Sequence, residues 1–285
     1  IFNSDYEASP KTSFTQCLQT YYDAKYAFRA FSKENMAKLI NAWCKEKTEG
    51  YIVSLLKDND VSNKDYTHFL NAIYFKGIWT SQFNKKDSSK KVFTTEDGSQ
   101  IKVNMMHQHQ NHLAADIPGL CKSVSLPFGN KAFNMVFILP DQSLDMPQFT
   151  SILDSELWGK ILQQHKYEVD VQVPSFQCEY YCNLNKILYQ MGIHDAFNAT
   201  TANFSRITTA MQINIGKVHH KAKISVDEVG SEAAAVTDVV IQGFTGIQST
   251  PQLFVFNADR PFIYAITEVS TGAILFIGQF TGKDS

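Results

Sequence analysis

Glu228-Val229-Gly230-Ser231-Glu232-Ala233-Ala234-Ala235 opens a stretch that runs to residue 252 without a Lys or Arg, with glycine at 230, 243 and 246. Strand-like runs flank it on both sides. A structureless connection of this length inside a compact domain is functional or disordered. Its first half alternates with period two. Ser231, Ala233, Ala235, Thr237, Val239 and Ile241 form one set, small to medium and uncharged. Glu232, Ala234, Val236, Asp238 and Val240 form the other set, and it holds both charges. Successive side chains of a strand point to opposite faces, so this is the pattern of a strand with one buried face. Two readings fit the pattern alone: an edge strand followed by a surface loop, or a loop able to enter a sheet. Small residues at the start would ease entry between strands already packed.

Working outward toward the C-terminus, residues 253–257, 262–268 and 273–280 read as strands. Toward the N-terminus, residues 213–226 read as extended. Residues 184–191 read as a helix capped by Gly192. Tyr167-Glu168-Val169-Asp170-Val171-Gln172-Val173-Pro174 alternates as a strand with one wet face does. Residues 146–164 read as one helix with Phe149, Ile152, Leu153, Leu157 and Leu162 as its apolar positions, and Pro147 suits a first helical turn. Phe133-Asn134-Met135-Val136-Phe137-Ile138-Leu139, stopped by Pro140-Asp141, reads as a buried strand and turn. Residues 91–106 read as hairpins. Phe69-Leu70-Asn71-Ala72-Ile73-Tyr74-Phe75 reads as a second buried strand. Residues 12–60 read mostly as helix, with Met36, Leu39, Ile40 and Trp43 on one face and a helix end at Gly50. Helices and strands in separate runs, with no repeat and no linker, predict one α+β domain over residues 1–285.

The bulk numbers bound the function. A chain of 285 residues, 44% of them hydrophobic, builds a large core. Its net charge of -2 offers no basic footprint for nucleic acid. No apolar run reaches about 18 residues, so no membrane-spanning helix is predicted. Asn198-Ala199-Thr200 and Asn203-Phe204-Ser205 are glycosylation sequons, which points to a secreted, extracellular glycoprotein. Five cysteines leave at least one thiol unpaired. Cys178 and Cys182 invite a disulfide, but free thiols on half-buried surfaces are the simpler expectation.

The opening stretch resembles the hinge of serpins, whose pattern is Glu, any residue, Gly, Ser or Thr, Glu, then a run of Ala. Other segments resemble the same family in the right order. Asn257-Ala258-Asp259-Arg260-Pro261-Phe262-Ile263-Tyr264-Ala265-Ile266 is similar to its signature after the loop. Asn71-Ala72-Ile73-Tyr74-Phe75-Lys76-Gly77-Ile78-Trp79 is similar to the third strand of the main sheet with its breach tryptophan. Ile40-Asn41-Ala42-Trp43, with Thr48, Gly50 and Ile52, is similar to the helix that crosses that sheet. Leu126-Pro127-Phe128, Phe137-Ile138-Leu139-Pro140, Val218-His219-His220-Lys221-Ala222 and Phe276-Ile277-Gly278 complete the set. The family's first helices have no counterpart in this chain. The family's usual heparin-binding helix belongs to that front part, so the resemblance assigns no glycosaminoglycan site.

The resemblance implies a serpin-like α+β fold, a large mixed β-sheet with further sheets and surrounding helices and an exposed reactive loop at about 228–252. It implies a suicide-substrate inhibitor whose partner is a serine protease, and no cofactor. The loop is attacked as substrate, and the freed hinge (Glu228, Gly230, Ser231, Glu232, Ala233, Ala234, Ala235) then enters the main sheet. Spacing from Glu228 puts the cut between Phe244 and Thr245, and spacing back from the signature puts it near Ile247. An aromatic before the cut, with no basic residue from 231 to 259, fits chymotrypsin-like or elastase-like targets. Asn71 and His220 match the shutter pair, where the sheet opens, and Trp79 the breach. A non-inhibitory serpin (carrier, chaperone or storage protein) and an inert serpin fragment are the alternatives.

Two other constellations invite chemistry. His107, His109 and His112 have the density of a metal site. With no Cys or carboxylate adjacent in sequence they read as surface histidines, and no metal is expected. No GxSxG elbow occurs, so the chain does not read as a hydrolase or any other enzyme.

Overall fold

The computed structural model describes residues 2–3, 9–24, 26–28, 33–57, 60, 67–210, 212–231 and 253–282. In chain order the first elements are β1 (Phe2–Asn3), α1 (Thr12–Tyr22), β2 (Ala27–Phe28), α2 (Lys33–Lys47), β3 (Thr67–Tyr74) and β4 (Gly77–Ile78). Next come β5 (Ser89–Thr94), β6 (Gln100–Ile117), β7 (Cys121–Phe128), β8 (Phe133–Pro140), α3 (Met146–Ile152) and α4 (Ser155–Leu162). The chain continues through β9 (His165–Pro174), β10 (Phe176–Asn183), α5 (Asn185–Gln190) and β11 (Lys217–Val226). It closes with β12 (Gly230–Ser231), β13 (Phe254–Asn257), β14 (Phe262–Glu268) and β15 (Ile274–Phe280). They form two compact units, residues 1–74 with 179–223, and residues 75–178 with 224–285.

The first unit is built on a mixed sheet in the order β10-β11-β3-β1-β2. β3 and β11 run parallel, in register from Lys217 opposite His68 to Lys223 opposite Tyr74. One face of this pair is covered by α2. Met36, Ala37, Ile40 and Cys44 of the helix bury with Ile52, Leu55 and Leu56, and Leu70 and Ala72 of β3 pack against them. Leu39, expected on that face, is instead 42% exposed, and Ala37 and Cys44 occupy the stripe. β3 is consequently less buried than its apolar run predicts: only Thr67 and His68 are buried, and Asn71 is exposed. The run mixes two faces, and among the described residues of this unit α2 covers only one of them.

Helix covers less of residues 12–60 than expected. After Lys47, Glu49 and Gly50 take positive φ values of 50° and 85°, which ends α2. The strap that follows is held by side chains rather than by a helical ladder. Asn41 Oδ1 accepts from the N–H groups of Leu55 and Leu56 at 2.7 and 2.9 Å. From β11, Lys221 Nζ donates to the Ser54 carbonyl at 2.5 Å and Lys223 Nζ to that of Tyr51 at 3.1 Å.

The second unit holds an eight-stranded sheet, β13-β9-β6-β7-β8-β14-β15, with β5 paired to β6. β14 pairs with β8 on one side and β15 on the other, and Phe262 through Thr267 are all buried. Phe176, Phe262, Tyr264 and Phe280 interlock at ring-centroid distances of 5.0–5.8 Å in a core of mostly aliphatic neighbours. Burying each such side chain is worth about 1.5–3 kcal/mol. Residues 146–164 form two helices, not one. Leu153 leaves helical geometry at ψ 84°, and Asp154 starts α4 by accepting the Leu157 N–H at 2.8 Å. β6 extends to Ile117, well past the expected hairpin. β11 begins at Lys217, later than the extended run suggests. None of the five cysteines forms a disulfide. Cys178 and Cys182 lie four residues apart on one extended strand, too far for a bridge.

Candidate functional site

Residues 227–231 are fixed by a small polar frame. After β11, Asp227 turns the chain: its Oδ1 accepts from Val229 N at 2.8 Å and Gly230 N at 3.1 Å, and its own N–H donates to the Gly230 carbonyl at 2.9 Å. Gly230 and Ser231 then pair antiparallel with Ile78 and Gly77 of β4. Gly230 has φ 149°, and a Cβ there would run into the Gly77 carbonyl oxygen. Glycine is therefore required twice over, by conformation and by close approach.

Glu228 is buried inside this frame, 9% exposed, and Asn104 Nδ2 on β6 donates to its Oε1 at 2.9 Å. Burial works against its charge. The dipoles of its own backbone N–H, the Ser88 hydroxyl and the Asn104 amide, with the charge of Lys85, outweigh burial and hold the carboxyl below its ordinary pKa. Trp79 closes the frame. Its indole Nε1 donates to the Asp227 carbonyl and its backbone N–H to that of Val229, both at 2.9 Å. Its ring stacks on Phe128 at 4.3 Å. Trp79, Glu228 and Gly230 thus meet in one place. Ser231 is described as strand backbone. Glu232, Ala233, Ala234 and Ala235, and Phe244, Thr245 and Ile247, lie outside the described residues.

The signature after the loop is equally ordered. Arg260 donates to the Pro140 carbonyl at 2.8 Å and to Asp259 at 3.2 Å, and Ala258 N donates to the Gln172 carbonyl at 2.8 Å. These contacts fix the turn that joins β13 to β14.

Asn71 and His220 are register partners on β3 and β11. His220 is half-buried, and burial lowers its pKa. No hydrogen bond joins the two side chains among the described residues. The side-chain tie across these strands lies on the other face, where reasoning from sequence missed it. His68 Nδ1 and His219 Nε2 stand 3.1 Å apart, and His219 Nδ1 stands 2.8 Å from Tyr181 Oη on β10. The pair is 151 residues apart in the chain, so no local spacing announces it.

The three histidines of β6 do not converge. His107 and His109 share one face, where they meet Asp170 at 2.7 Å and Glu168 at 3.3 Å on β9. His112 faces the other way and is buried, and desolvation lowers its pKa to about 4. No metal-holding group of three His, Cys, Asp or Glu occurs among the described residues. Asn198 and Asn203 are both exposed, and the Asn198 Oδ1 accepts from the Thr200 hydroxyl of its own sequon at 2.7 Å.

Comparison with known proteins agrees with this arrangement. The family profile described as serpin (serine protease inhibitor) matches residues 2–282. Human plasminogen activator inhibitor 2 is 33% identical over 284 residues, covering 96% of this chain and 67% of that protein. Human leukocyte elastase inhibitor is 34% identical over 281 residues, covering 94% of this chain and 72% of that one. The crystal structure of tengpin, a thermophilic serpin in its native state, superposes with a TM-score of 0.87 at 29% identity, covering 99% of this chain and 72% of tengpin. The profile runs almost end to end and both relatives exceed 30% identity over most of the chain: the chain belongs to the serpin family of serine protease inhibitors.

Proposed function

We propose that this chain inhibits serine proteases of apolar specificity, chymotrypsin-like or elastase-like, as a suicide substrate. The carrying observation is the two-faced, proline-free sequence from 231 to 241, which follows directly on β12 in the chain. The protease serine Oγ attacks the Phe244 carbonyl carbon. The bond to Thr245 breaks, the new amine leaves with a proton from the protease histidine, and an acyl ester remains. The freed hinge then enters between β3 and β11 as a new strand, and the protease is displaced before water can cleave the ester. A strand with neighbours on both sides gains two ladders of hydrogen bonds and buries its uncharged set. The uncleaved form is accordingly kept by a kinetic barrier. The similarity to inhibitors named for plasminogen activators and leukocyte elastase supports inhibition as the activity.

The test is incubation with chymotrypsin, elastase and trypsin. A denaturant-resistant covalent complex with the first or second is expected, with the released peptide starting at Thr245. Ala235→Pro removes a ladder donor and Ser231→Arg puts a charge on the inward face, so each variant is expected to be nicked without complex formation. Complexes retained in both variants sink the insertion step, and simple nicking of the wild type means a non-inhibitory serpin. From the two sequons alone we also propose that the protein is secreted with glycans on Asn198 and Asn203. Removal of N-glycans should then lower its mass, and an unchanged mass argues against it.

A further inference from the structure

We infer that the buried chain Tyr181–His219–His68 is a latch across the β11–β3 seam that a second proton on the imidazole pair releases. The inference rests on the reading that the loop enters at this seam. His68 and His219 are 0% and 1% exposed, with ring planes within 10° of parallel. They sit on the face that α2 covers, as diagonal neighbours on adjacent parallel strands. Together with Tyr181 they join β10, β11 and β3 by side chains alone, in addition to the backbone ladder. A strand cannot enter between β11 and β3 while the 3.1 Å contact holds.

Counting protons shows what the contact tolerates. With both rings neutral, one N–H fills the His68–His219 contact and one donor fills the His219–Tyr181 contact. One added proton is also accommodated: His219 becomes a donor at both nitrogens, to His68 Nδ1 and to the Tyr181 oxygen. A second proton cannot be. It sets N–H against N–H and like charge against like charge in a buried place. The described titratable and charged neighbours do not offset it. Lys217 is the register partner of His68, and its Nζ is engaged by the Asp60 carbonyl at 2.7 Å. Lys221 is engaged by Glu179 at 2.6 Å. Asp60 and Cys182 face Tyr181, which burial holds well above its ordinary pKa. The Asp60 carboxylate itself accepts from the Lys57 N–H at 2.7 Å.

Once the seam opens, both rings reach water and each takes a proton near an ordinary imidazole pKa of about 6.5. The open seam then binds more protons than the closed one. Closure is therefore fully favoured above that pH and weakens below it, by about tenfold per pH unit for each extra proton. An acidic surrounding should thus speed strand entry. Asn71 and His220, on the opposite face, are not part of this count.

The test is hydrogen exchange of the whole chain, read by mass spectrometry at pH 6.5 and 5.5 and corrected for the chemical exchange rate. Amides of 67–74 and 217–223 should open about tenfold more at the lower pH, while amides of β7 and β8 stay unchanged. His68→Leu and His219→Gln should each abolish the pH step. A step that persists in a folded variant, or its absence from the wild type, overturns the latch. If neither variant folds, nitrogen NMR of the wild-type rings decides: two protons taken up with the seam still closed also overturn it. The measurement uses no protease. A seam that opens with acid in a chain forming no complex with chymotrypsin would therefore keep the latch and reject the inhibitor reading. A complex-forming chain with a pH-indifferent seam would reject the latch alone.

Discussion

His112 lies on the opposite face of β6 from His107 and His109, and that parity decides its behaviour. Its Nε2 has no hydrogen-bond partner among the described residues, and burial holds its pKa at about 4. The unfolded chain takes this proton near pH 6.5 and the folded chain does not. The neutral ring's contribution is thus intact above that pH and is lost between about 6.5 and about 4, a total of about 3 kcal/mol. His112→Leu removes the titration and loses no described hydrogen bond. Denaturant midpoints should show the variant at least as stable at pH 7, and more stable than wild type by 2–3 kcal/mol, roughly, at pH 4.5. Equal midpoint differences at both pH values would contradict the burial argument. Glu228 runs with the opposite sign. Its carboxyl is held below the ordinary carboxylate range, so its charge stabilises the fold above the unfolded value of about 4.3, and that help fades as pH falls through the folded value. Glu228→Gln takes the charge from the Asn104 amide, at a cost of about 1–3 kcal/mol. Its thermal midpoint should fall at pH 7 and approach that of the wild type at pH 3.

At the scale of elements, β12 depends on one backbone conformation. Gly230→Ala forces a methyl group toward the Gly77 carbonyl at a φ of 149°, which costs on the order of 1–3 kcal/mol. The Trp79 amide, whose partner is the Val229 carbonyl, should then exchange at least tenfold faster, roughly the effect of 1.4 kcal/mol. Unchanged protection would mean that β12 is held by something other than its pairing with β4. The hinge glycine was legible because its pattern is local. So were β8 and β14, whose near-continuous apolar runs belong to strands buried on both faces. The break between α3 and α4 was not, because Leu153 keeps the apolar spacing while its backbone leaves the helix. The exposure of Asn71 and Leu39 depends on which face of β3 and of α2 finds a partner, and periodicity ranks faces without saying what covers them. His68 and His219 lay beyond reach for a simpler reason: only strand register brings them together.

For the molecule as a whole, the insertion reading carries a thermodynamic consequence separate from any protease complex. Cutting the loop with a protease that is not trapped frees the same hinge, and the strand can then enter unloaded. The set that would turn inward is Ser231, Ala233, Ala235, Thr237, Val239 and Ile241. The two aliphatics contribute about 1.5–3 kcal/mol each on burial, and the smaller residues and the second ladder add to that. A gain of about 5 kcal/mol corresponds to a rise of roughly 10–20 °C in the thermal midpoint for a chain of this size. Scanning calorimetry of cleaved and uncleaved protein should show that rise, and cleaved Ala235→Pro should show much less of it. The comparison is informative because nicking alone lowers stability: it loosens the chain and relieves nothing unless a strand is taken up. A cleaved wild type that melts at or below the uncleaved temperature would mean that the seam between β3 and β11 does not receive the loop, whatever the chain does to proteases.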